Sequence, residues 1–339
     1  MVDEPETRMV GRYCLYRPLA SGGTATVYLG SLRSEGGFSR PVAIKKLHAH
    51  YAHDPRLVAA LLDEARIASH IRHPGVVSVL DIVVLGDEPL LVLEYVHGES
   101  LSQLLEARSP DEPTPLPVVL RIVVDALEGL HAAHEATNAE GTPLLIVHRD
   151  VSPQNIMVDS EGRARIVDFG IAKAMERPRA DVDTGELLGK LAYAAPEQIA
   201  GATVDRRTDV WAIGVVLWEL LAGRRIFADA RPPEIAHRIV AIDAPPPSEG
   251  SASCPCALDA IVGRALQRDP EQRFGSADAM AGAIEAAGPL ASRHDVARWM
   301  RARARGRLEE RSTLLREMET ELRRVPVETA SSPRARVRD

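Results

Sequence analysis

Cysteine is scarce in this chain, which limits its covalent and metal chemistry. Three cysteines occur among 339 residues, at Cys14, Cys254 and Cys256. Three thiols cannot build a disulfide framework, and the Cys-Pro-Cys pair lacks the further ligands that a zinc site needs. We therefore expect reduced thiols and a cytoplasmic protein.

Long hydrophobic runs are missing as well. The most apolar segment, residues 210–223, is too short to span a membrane and contains Glu219, so it predicts a buried helix. The first ten residues are acidic and polar, unlike a signal peptide. We expect no membrane span.

Lysine is rare, and the overall charge is negative. Since arginine supplies nearly all basic side chains, each lysine is a candidate for a specific role. The net charge of −7 argues against nucleic-acid binding, although residues 289–339 carry +5 against −12 for residues 1–288. Four lysines occur, at positions 45, 46, 173 and 190.

Strand patterns dominate the first hundred residues. Residues 12–32 read as two strands around a glycine-containing turn, and residues 40–47 alternate as a third strand. Residues 54–71 have helical periodicity, with Asp54 as N-cap and a proline in the first turn. Two more strand patterns complete a lobe of five strands and one helix, at residues 75–85 and 89–96.

Helical patterns dominate the rest of the chain. Residues 117–136 are amphipathic and include "HAAH" (131–134), whose histidines are expected in the core and at its rim. Residues 208–223 are apolar all round and predict a central helix. Residues 295–325 carry two apolar stripes, which favour docking against the preceding lobe or a partner helix. The stripes are Val296, Trp299 and Met300, then Leu315, Met318, Leu322 and Val325.

Several short motifs follow one another along these elements. In order and spacing they resemble the eukaryotic-type protein kinases, in particular the soluble bacterial serine/threonine kinases of myxobacteria. The resemblance covers about residues 11–288. The motifs are "ASGGTATVY" (20–28), "VAIK" (42–45), "HRDVSPQN" (148–155), "DFG" (168–170) and "AAPE" (194–197).

This resemblance implies an α+β, bilobal fold of the protein-kinase type. The N-lobe would hold a five-stranded antiparallel sheet plus one helix, and the C-lobe would be mostly helical. The expected order is an N-terminal tail, N-lobe, C-lobe, C-terminal helical extension and disordered basic tail. Their bounds are 1–10, 11–97, 98–288, 289–325 and 326–339.

The resemblance also implies an ATP site between the lobes. Lys45 would hold the α- and β-phosphates and pair with Glu64 of the N-lobe helix, whereas Lys46 is expected to be solvated. Asp63 points about 100° away from Glu64 on a helix, so only one of them can face the cleft. Small residues in the turn would let backbone amides approach the phosphates, although alanine replaces glycine at two of the three family positions, Ala20 and Ala25.

Further residues of the nucleotide site follow from the same resemblance. The backbone of Glu94 and Val96 would hydrogen-bond adenine, Leu93 would lie at the back of the pocket and Met157 at its floor. The full expected set is Ala20, Ser21, Gly22, Gly23, Val27, Ala43, Lys45, Leu93, Glu94, Val96 and Met157.

The HRD and DFG motifs imply the chemistry. Asp150 would act as base or orienting group for the substrate hydroxyl, and Asn155 and Asp168 would bind Mg²⁺, a hard cation that prefers oxygen ligands. Two structural roles are also implied. Asp209 would anchor the catalytic loop from the central helix, and Arg273 would form an ion pair with Glu197.

Two positions depart from the family pattern. The lysine expected two places after the catalytic aspartate is Ser152, and the threonine expected before "APE" is Lys190. Because these positions meet in the family fold, we hypothesise that Lys190 supplies the missing positive charge at the transferred phosphate. The alternative is that Lys190 is solvated and Ser152 weakens catalysis.

Thr184 is a candidate regulatory phosphosite. It is the only serine or threonine between Gly170 and Pro196. In the family, an arginine before the catalytic aspartate, here Arg149, accompanies activation by loop phosphorylation, and a phosphate on Thr184 could pair with it. The alternative is an unmodified loop threonine.

Two functional classes follow. The first is an ATP- and Mg²⁺-dependent kinase acting on serine or threonine hydroxyls of protein substrates, with a homodimer as one route to autophosphorylation in trans. The second is a pseudokinase that binds nucleotide as a scaffold, for which Ser152 and Ala20 are the sequence arguments. Tyrosine specificity stays open because the lysine typical of serine/threonine kinases is absent. A small-molecule phosphotransferase is disfavoured, because "APE" and residues 208–214 would build a platform for protein substrates.

Overall fold

A computed structural model gives the fold of this chain as two lobes joined near residue 96. The fold expected from the motifs is confirmed. The described residues are 7–34, 38–52, 54–86, 88–107, 113–169, 190–227, 231–241, 244–249 and 254–324.

The N-lobe is built on an antiparallel sheet of six strands, one more than expected. The additional strand, β1 (Arg8–Val10), pairs with the start of β2 (Tyr13–Ser21) and lies in the segment predicted as a tail; its Val10 is buried. The strands are β1 Arg8–Val10, β2 Tyr13–Ser21, β3 Ala25–Arg33, β4 Ser39–Leu47, β5 Val79–Leu85 and β6 Glu88–Glu94, in the order β1-β2-β3-β4-β6-β5.

The two faces of this sheet have different partners. Alternate residues of a strand point to opposite faces, so Val42 and Ile44 of β4 are buried in one cluster while Lys45 faces the other side. That other side packs against helix α2, Pro55–Ala68. The helix begins as predicted, since Asp54 accepts a hydrogen bond from the Arg56 amide at 2.9 Å. A short helix, α1, covers Ala49–Ala52.

Helices make up most of the C-lobe. Two of them, α4 (Leu116–His134) and α6 (Arg206–Ala222), form its centre; α6 is buried all round and ends at Gly223, whose φ of 68° suits glycine. The helices are α3 Leu101–Glu106, α4 Leu116–His134, α5 Pro196–Ile199, α6 Arg206–Ala222, α7 Pro232–Ala241, α8 Cys256–Ala265 and α9 Ala277–Ala287. A small sheet is formed by β7 Gly98–Ser100, β8 Ile156–Asp159 and β9 Ala164–Ile166, in that order.

The last helix, α10 (Arg293–Arg324), contacts both lobes. Its first stripe, with Val296 and Met300, is buried in the C-lobe core. Its second stripe, with Met318 and Leu322, packs against Cys14, Tyr16 and Leu29 of the N-lobe. The predicted docking of this extension is therefore intramolecular. No helix in the described part of the chain is both long and apolar enough to cross a membrane.

Candidate active site

The buried carboxylate of Asp209 fixes the backbone of the loop that carries the HRD motif. It accepts hydrogen bonds from the amides of His148 and Arg149, both at 2.8 Å. His134 of α4 binds the same carboxylate through Nε2 at 2.7 Å. Burial alone would raise the pKa of Asp209, but the hydrogen bond with His134 leads the effects that hold it below its ordinary range. The predicted anchoring by Asp209 is confirmed.

The imidazole of His148 connects the HRD loop to the DFG motif. Its Nε2 lies 3.1 Å from the carbonyl oxygen of Val167, and its Nδ1 accepts from the amide of Asp150 at 3.2 Å. The ring also packs against Phe169, with ring centroids 4.8 Å apart. Because burial lowers the pKa of His148 below its ordinary value, the ring is neutral at physiological pH. The two motifs are thus in direct contact.

Asp150, the candidate base, is held by two neighbours. The side-chain amide nitrogen of Asn155 donates to the carbonyl oxygen of Asp150 at 2.8 Å and to its Oδ2 at 2.9 Å. The Nζ of Lys190 lies 3.3 Å from the same Oδ2, and the two side chains are 20% and 11% exposed. Lys190 is therefore no solvated lysine: it reaches the catalytic loop beside Ser152.

Lys45 enters the site from the N-lobe. Its Nζ lies 3.2 Å from Oδ1 of Asp168, and the lysine side chain is 14% exposed. The side chain of Glu64, the predicted partner of Lys45, lies outside the described residues. Lys46 differs from its expectation as a solvated lysine, because it forms an ion pair with Glu88 at 2.9 Å and is 25% exposed.

Two residues of the site have unusual backbone conformations. Arg149 and Asp168 have φ angles of 66° and 54°. This left-handed region is uncommon for residues other than glycine, and such strain collects at functional sites. Both aspartate-bearing motifs are therefore held in an enforced geometry by the surrounding hydrogen bonds.

The glycine-containing turn between β2 and β3 is internally bonded. The amide of Gly22 donates to the carbonyl of Ala25 at 2.9 Å. The hydroxyls of Ser21 and Thr26 lie 3.0 Å apart, and Nε2 of His48 lies 3.1 Å from the Thr26 hydroxyl. His48 thus ties the turn to the end of β4, a contact that its sequence position does not reveal. Of the predicted residues, Gly22 and Gly23 lie in this turn, and Ala20 and Ser21 are the last two residues of β2.

The residues predicted around adenine are partly buried and lie near one another in the sheet register. Ala43 pairs with Leu93 and Val27 with Lys45 across neighbouring strands. Ala43 and Lys45 lie on the same face because they are two residues apart. The remaining predicted residues are Glu94 at the end of β6, Val96 in the lobe connection and Met157 in β8.

An ion pair between Arg273 and Glu197 supports the segment after Lys190. The guanidinium of Arg273 is buried and binds both carboxylate oxygens, at 2.7 and 2.8 Å. Thr208 donates a further hydrogen bond to Glu197 at 2.8 Å. Burial would raise the pKa of Glu197, yet the bonds from Arg273 hold it below its ordinary range. The predicted structural pair is confirmed.

Besides the contact of His48, sequence reasoning missed further contacts around the site. His134, expected in the core, forms a hydrogen bond with the Asp209 carboxylate. Arg165 binds the side chain of Glu94 at 2.6 Å, while the amide of Glu94 donates to Ser78 at 2.9 Å. An adenine contact at Glu94 would therefore use its carbonyl oxygen. Arg311 of α10 reaches the lobe connection, as a donor to the carbonyl oxygen of Gly98. Thr184 and Gly170 lie outside the described residues.

A bilobal fold in which Lys45 pairs with Asp168, beside an HRD loop anchored by Asp209, is the arrangement of a protein kinase. The model of the protein kinase domain matches residues 13–283 of the chain. The chain belongs to the protein kinase family.

Known relatives agree with this assignment. The chain is 39% identical over 282 residues to "Tyrosine-protein kinase MasK" of Myxococcus xanthus, a match that covers 83% of this chain and 44% of MasK. It is 36% identical over 275 residues to "Serine/threonine-protein kinase PknL" of Mycobacterium tuberculosis, covering 81% of this chain and 65% of PknL. The chain thus spans less than two thirds of the length of these relatives.

Solved structures show the same fold. The crystal structure of the PknI kinase domain from Mycobacterium tuberculosis superposes with a TM-score of 0.63 at 27% sequence identity. The superposition covers 83% of this chain and 98% of the PknI domain. The expected resemblance to bacterial serine/threonine kinases is confirmed by PknL, and a myxobacterial protein, MasK, is also among the relatives, although its name is that of a tyrosine kinase.

Proposed function

We propose that this protein transfers the γ-phosphate of Mg-ATP to serine or threonine hydroxyls of protein substrates. The proposal rests on one observation: Lys45 contacts Asp168, and Asn155 and Lys190 both contact Asp150. These are the groups that phosphoryl transfer needs, namely cations at the phosphates, oxygen ligands for a metal ion and a carboxylate for the substrate hydroxyl.

The donor set fits a magnesium ion. Asn155 uses its amide nitrogen to bind Asp150, so its Oδ1 is the atom it can offer to a metal. Asp168 offers a carboxylate, and Mg²⁺ is commonly bound by one or two such oxygen ligands together with substrate phosphates. When bound, the ion would neutralise charge on the β- and γ-phosphates.

Lys190 would take the role that a lysine at position 152 has in most of the family. Its ammonium group lies 3.3 Å from the Asp150 carboxylate, at the point where the transferred phosphate and the hydroxyl must meet. Fixed positive charge in a water-poor site stabilises the developing charge of the transition state. Ser152 is 1% exposed, and its neutral side chain brings no positive charge to the site.

Substituting Lys190 tests this assignment. We expect Lys190→Ala to lower kcat about 100-fold, the usual effect of removing one preorganised charge or donor. Lys46→Ala is the matched control, because its partly exposed ion pair with Glu88 is worth at most about 1 kcal/mol. The exchange Ser152→Lys with Lys190→Thr should recover part of the activity lost in Lys190→Thr alone. Equal, small effects of Lys190→Ala and Lys46→Ala would exclude the role.

The activity itself is tested by mass. The intact mass of the purified protein is measured before and after incubation with Mg-ATP, in parallel with an Asp168→Ala variant. Any gain in mass is then assigned by peptide mapping. We expect phosphate on the unmutated protein alone, with Thr184 among the modified residues. Phosphate on both proteins would point to a contaminating kinase, and a lack of gain with added protein substrates would favour the pseudokinase scaffold.

Residue analysis of the product decides the acceptor. Phosphoserine and phosphothreonine are expected. Phosphotyrosine would instead agree with the name of MasK and with the serine at position 152. Autophosphorylation in trans by a homodimer belongs to the same proposal: it predicts a rate per molecule that rises with protein concentration. The cytoplasmic location is also proposed, and the three free cysteines support it.

A further inference from the structure

A cavity of about 330 Å³ opens beside the catalytic loop. Its walls are α3, residues 152–154, residues 190–193 and the segment that follows α6. Lys190 is part of the wall and lies 3.3 Å from Asp150, so the cavity begins one side chain away from the proposed base. None of the nucleotide-site residues named above lines it.

The two carboxylates in this cavity already have hydrogen-bond donors. Glu219 accepts from the hydroxyl of Tyr193 at 2.7 Å and from the amide of Ile226 at 3.2 Å. Burial raises the pKa of Glu219. Glu106 accepts from the side-chain amide of Gln103 at 2.8 Å. Both acids are therefore engaged by the protein itself.

The wall of the cavity also carries two arginines. Arg224 and Arg225 follow α6 and form no ion pair within the described residues, although the charge of Arg225 acts on Glu219 and opposes the rise in the pKa of that carboxyl group. Arg224 stacks on the ring of Trp218, with its guanidinium carbon 4.9 Å from the ring centroid, which orients it without neutralising it. Two arginines in the wall of one cavity suit an anionic group, because a guanidinium presents several planar donors.

A third donor points to the same chemistry. Ser152 lines the cavity, is 1% exposed, and its hydroxyl has no hydrogen-bond partner among the described residues. Buried hydroxyls are normally satisfied, so this one is available to donate to an acceptor from outside the chain. A carboxylate or phosphate oxygen is such an acceptor.

We propose that this cavity binds an anionic side chain of the protein substrate close to the phosphoacceptor, and that Arg224 and Arg225 set this preference. The inference rests on the proposed kinase activity. A substrate whose hydroxyl reaches Asp150 must carry its neighbouring residues past the cavity. An extended chain advances about 3.3 Å per residue, so side chains within about three positions of the acceptor are in reach.

Matched peptides test the preference on the full chain. Three peptides share one acceptor and differ only in the flanking residues, which are alanine, aspartate or arginine. We expect kcat/KM for the aspartate peptide to exceed that for the alanine peptide about tenfold, and the arginine peptide to fall below both. The preference should shrink in about 0.5 M salt, where screening reduces the reach of charges to a few ångströms.

Substitutions assign the effect to the two arginines. The double variant Arg224→Gln, Arg225→Gln should reduce the aspartate-to-alanine ratio to about twofold or less, and Arg224→Glu, Arg225→Glu should invert it in favour of arginine. Arg305→Gln is the control, because Arg305 is exposed on α10 and away from the cavity. A fourth peptide with phosphoserine in place of aspartate separates the two sources of negative charge. A larger gain from phosphoserine identifies a previously phosphorylated substrate.

The outcomes separate the two proposals. Phosphorylation of all peptides with a ratio near one in the unmutated protein would overturn the cavity assignment and leave the kinase activity intact. That comparison needs no variant, so it stands even if the double variants fail to fold. A preference that survives both double variants would place the anion elsewhere. Transfer to none of the peptides, and none to the chain itself, would instead contradict the proposed activity.

Discussion

Removing the carboxylate of Asp209 should destabilise the C-lobe more than removing any surface acid. In Asp209→Ala the amides of His148 and Arg149 and the ring of His134 all lose their acceptor. A buried donor without a partner costs about 1–3 kcal/mol. Because Arg149 is exposed and the loop can relax, we expect a total loss of about 3–6 kcal/mol, a large part of the roughly 5–15 kcal/mol of a whole domain.

Urea unfolding measures this loss. Trp211 and Trp218 lie on the same helix as Asp209 and report on it by fluorescence. Asp205→Ala is the matched control, since Asp205 caps the same helix from an exposed position and its loss should cost about 1 kcal/mol. Asp209→Asn keeps the shape but only one acceptor oxygen, so an intermediate loss is expected. A loss in Asp209→Ala no greater than in Asp205→Ala would show that the loop is held by other contacts.

Two further predictions concern stability. Burial lowers the pKa values of His73, His97 and His148, so the folded state binds fewer protons; stability should be full above about pH 6.5 and fall as the pH drops below it. Equal urea midpoints at about pH 7.5 and 5.5 would contradict this. Met318→Ala should cost about 2–4 kcal/mol and speed hydrogen exchange in β2 and β3, because Met318 is 1% exposed against the N-lobe. The exposed Glu319→Ala is its control, and equal exchange in both would refute the packing role.

Local signals in the sequence predicted the secondary structure well. The helix expected over 54–71 covers Pro55–Ala68, and the one expected over 208–223 covers Arg206–Ala222. Both have caps that act within a few residues, namely Asp54 at the start of one and Gly223 at the end of the other. Strand β1 was not predicted, because its three residues of mixed polarity show no period and because their pairing depends on β2.

Long-range contacts were predictable only where a motif named both partners. Arg273 and Glu197 were paired by the resemblance and do pair. His134 was not, because a histidine on an apolar helix face is compatible with any core position. The contact of Lys190 with Asp150 lies between these cases: the departure from the family pattern suggested it, and only the folded chain brings the two side chains to 3.3 Å.

Helix α10 changes how the two lobes can move. Over its 32 residues it is about 48 Å long, and it is packed into the C-lobe core at one end and against Tyr16 and Leu29 at the other. Between these ends Arg311 is bonded to the connecting segment at Gly98. If the connecting segment were the sole link, the two lobes could twist and tilt relative to each other. Because α10 links them a second time, rotation about a single axis remains. Opening and closing of the nucleotide cleft should therefore follow one direction, and a force on the far end of α10 would be transmitted to the cleft.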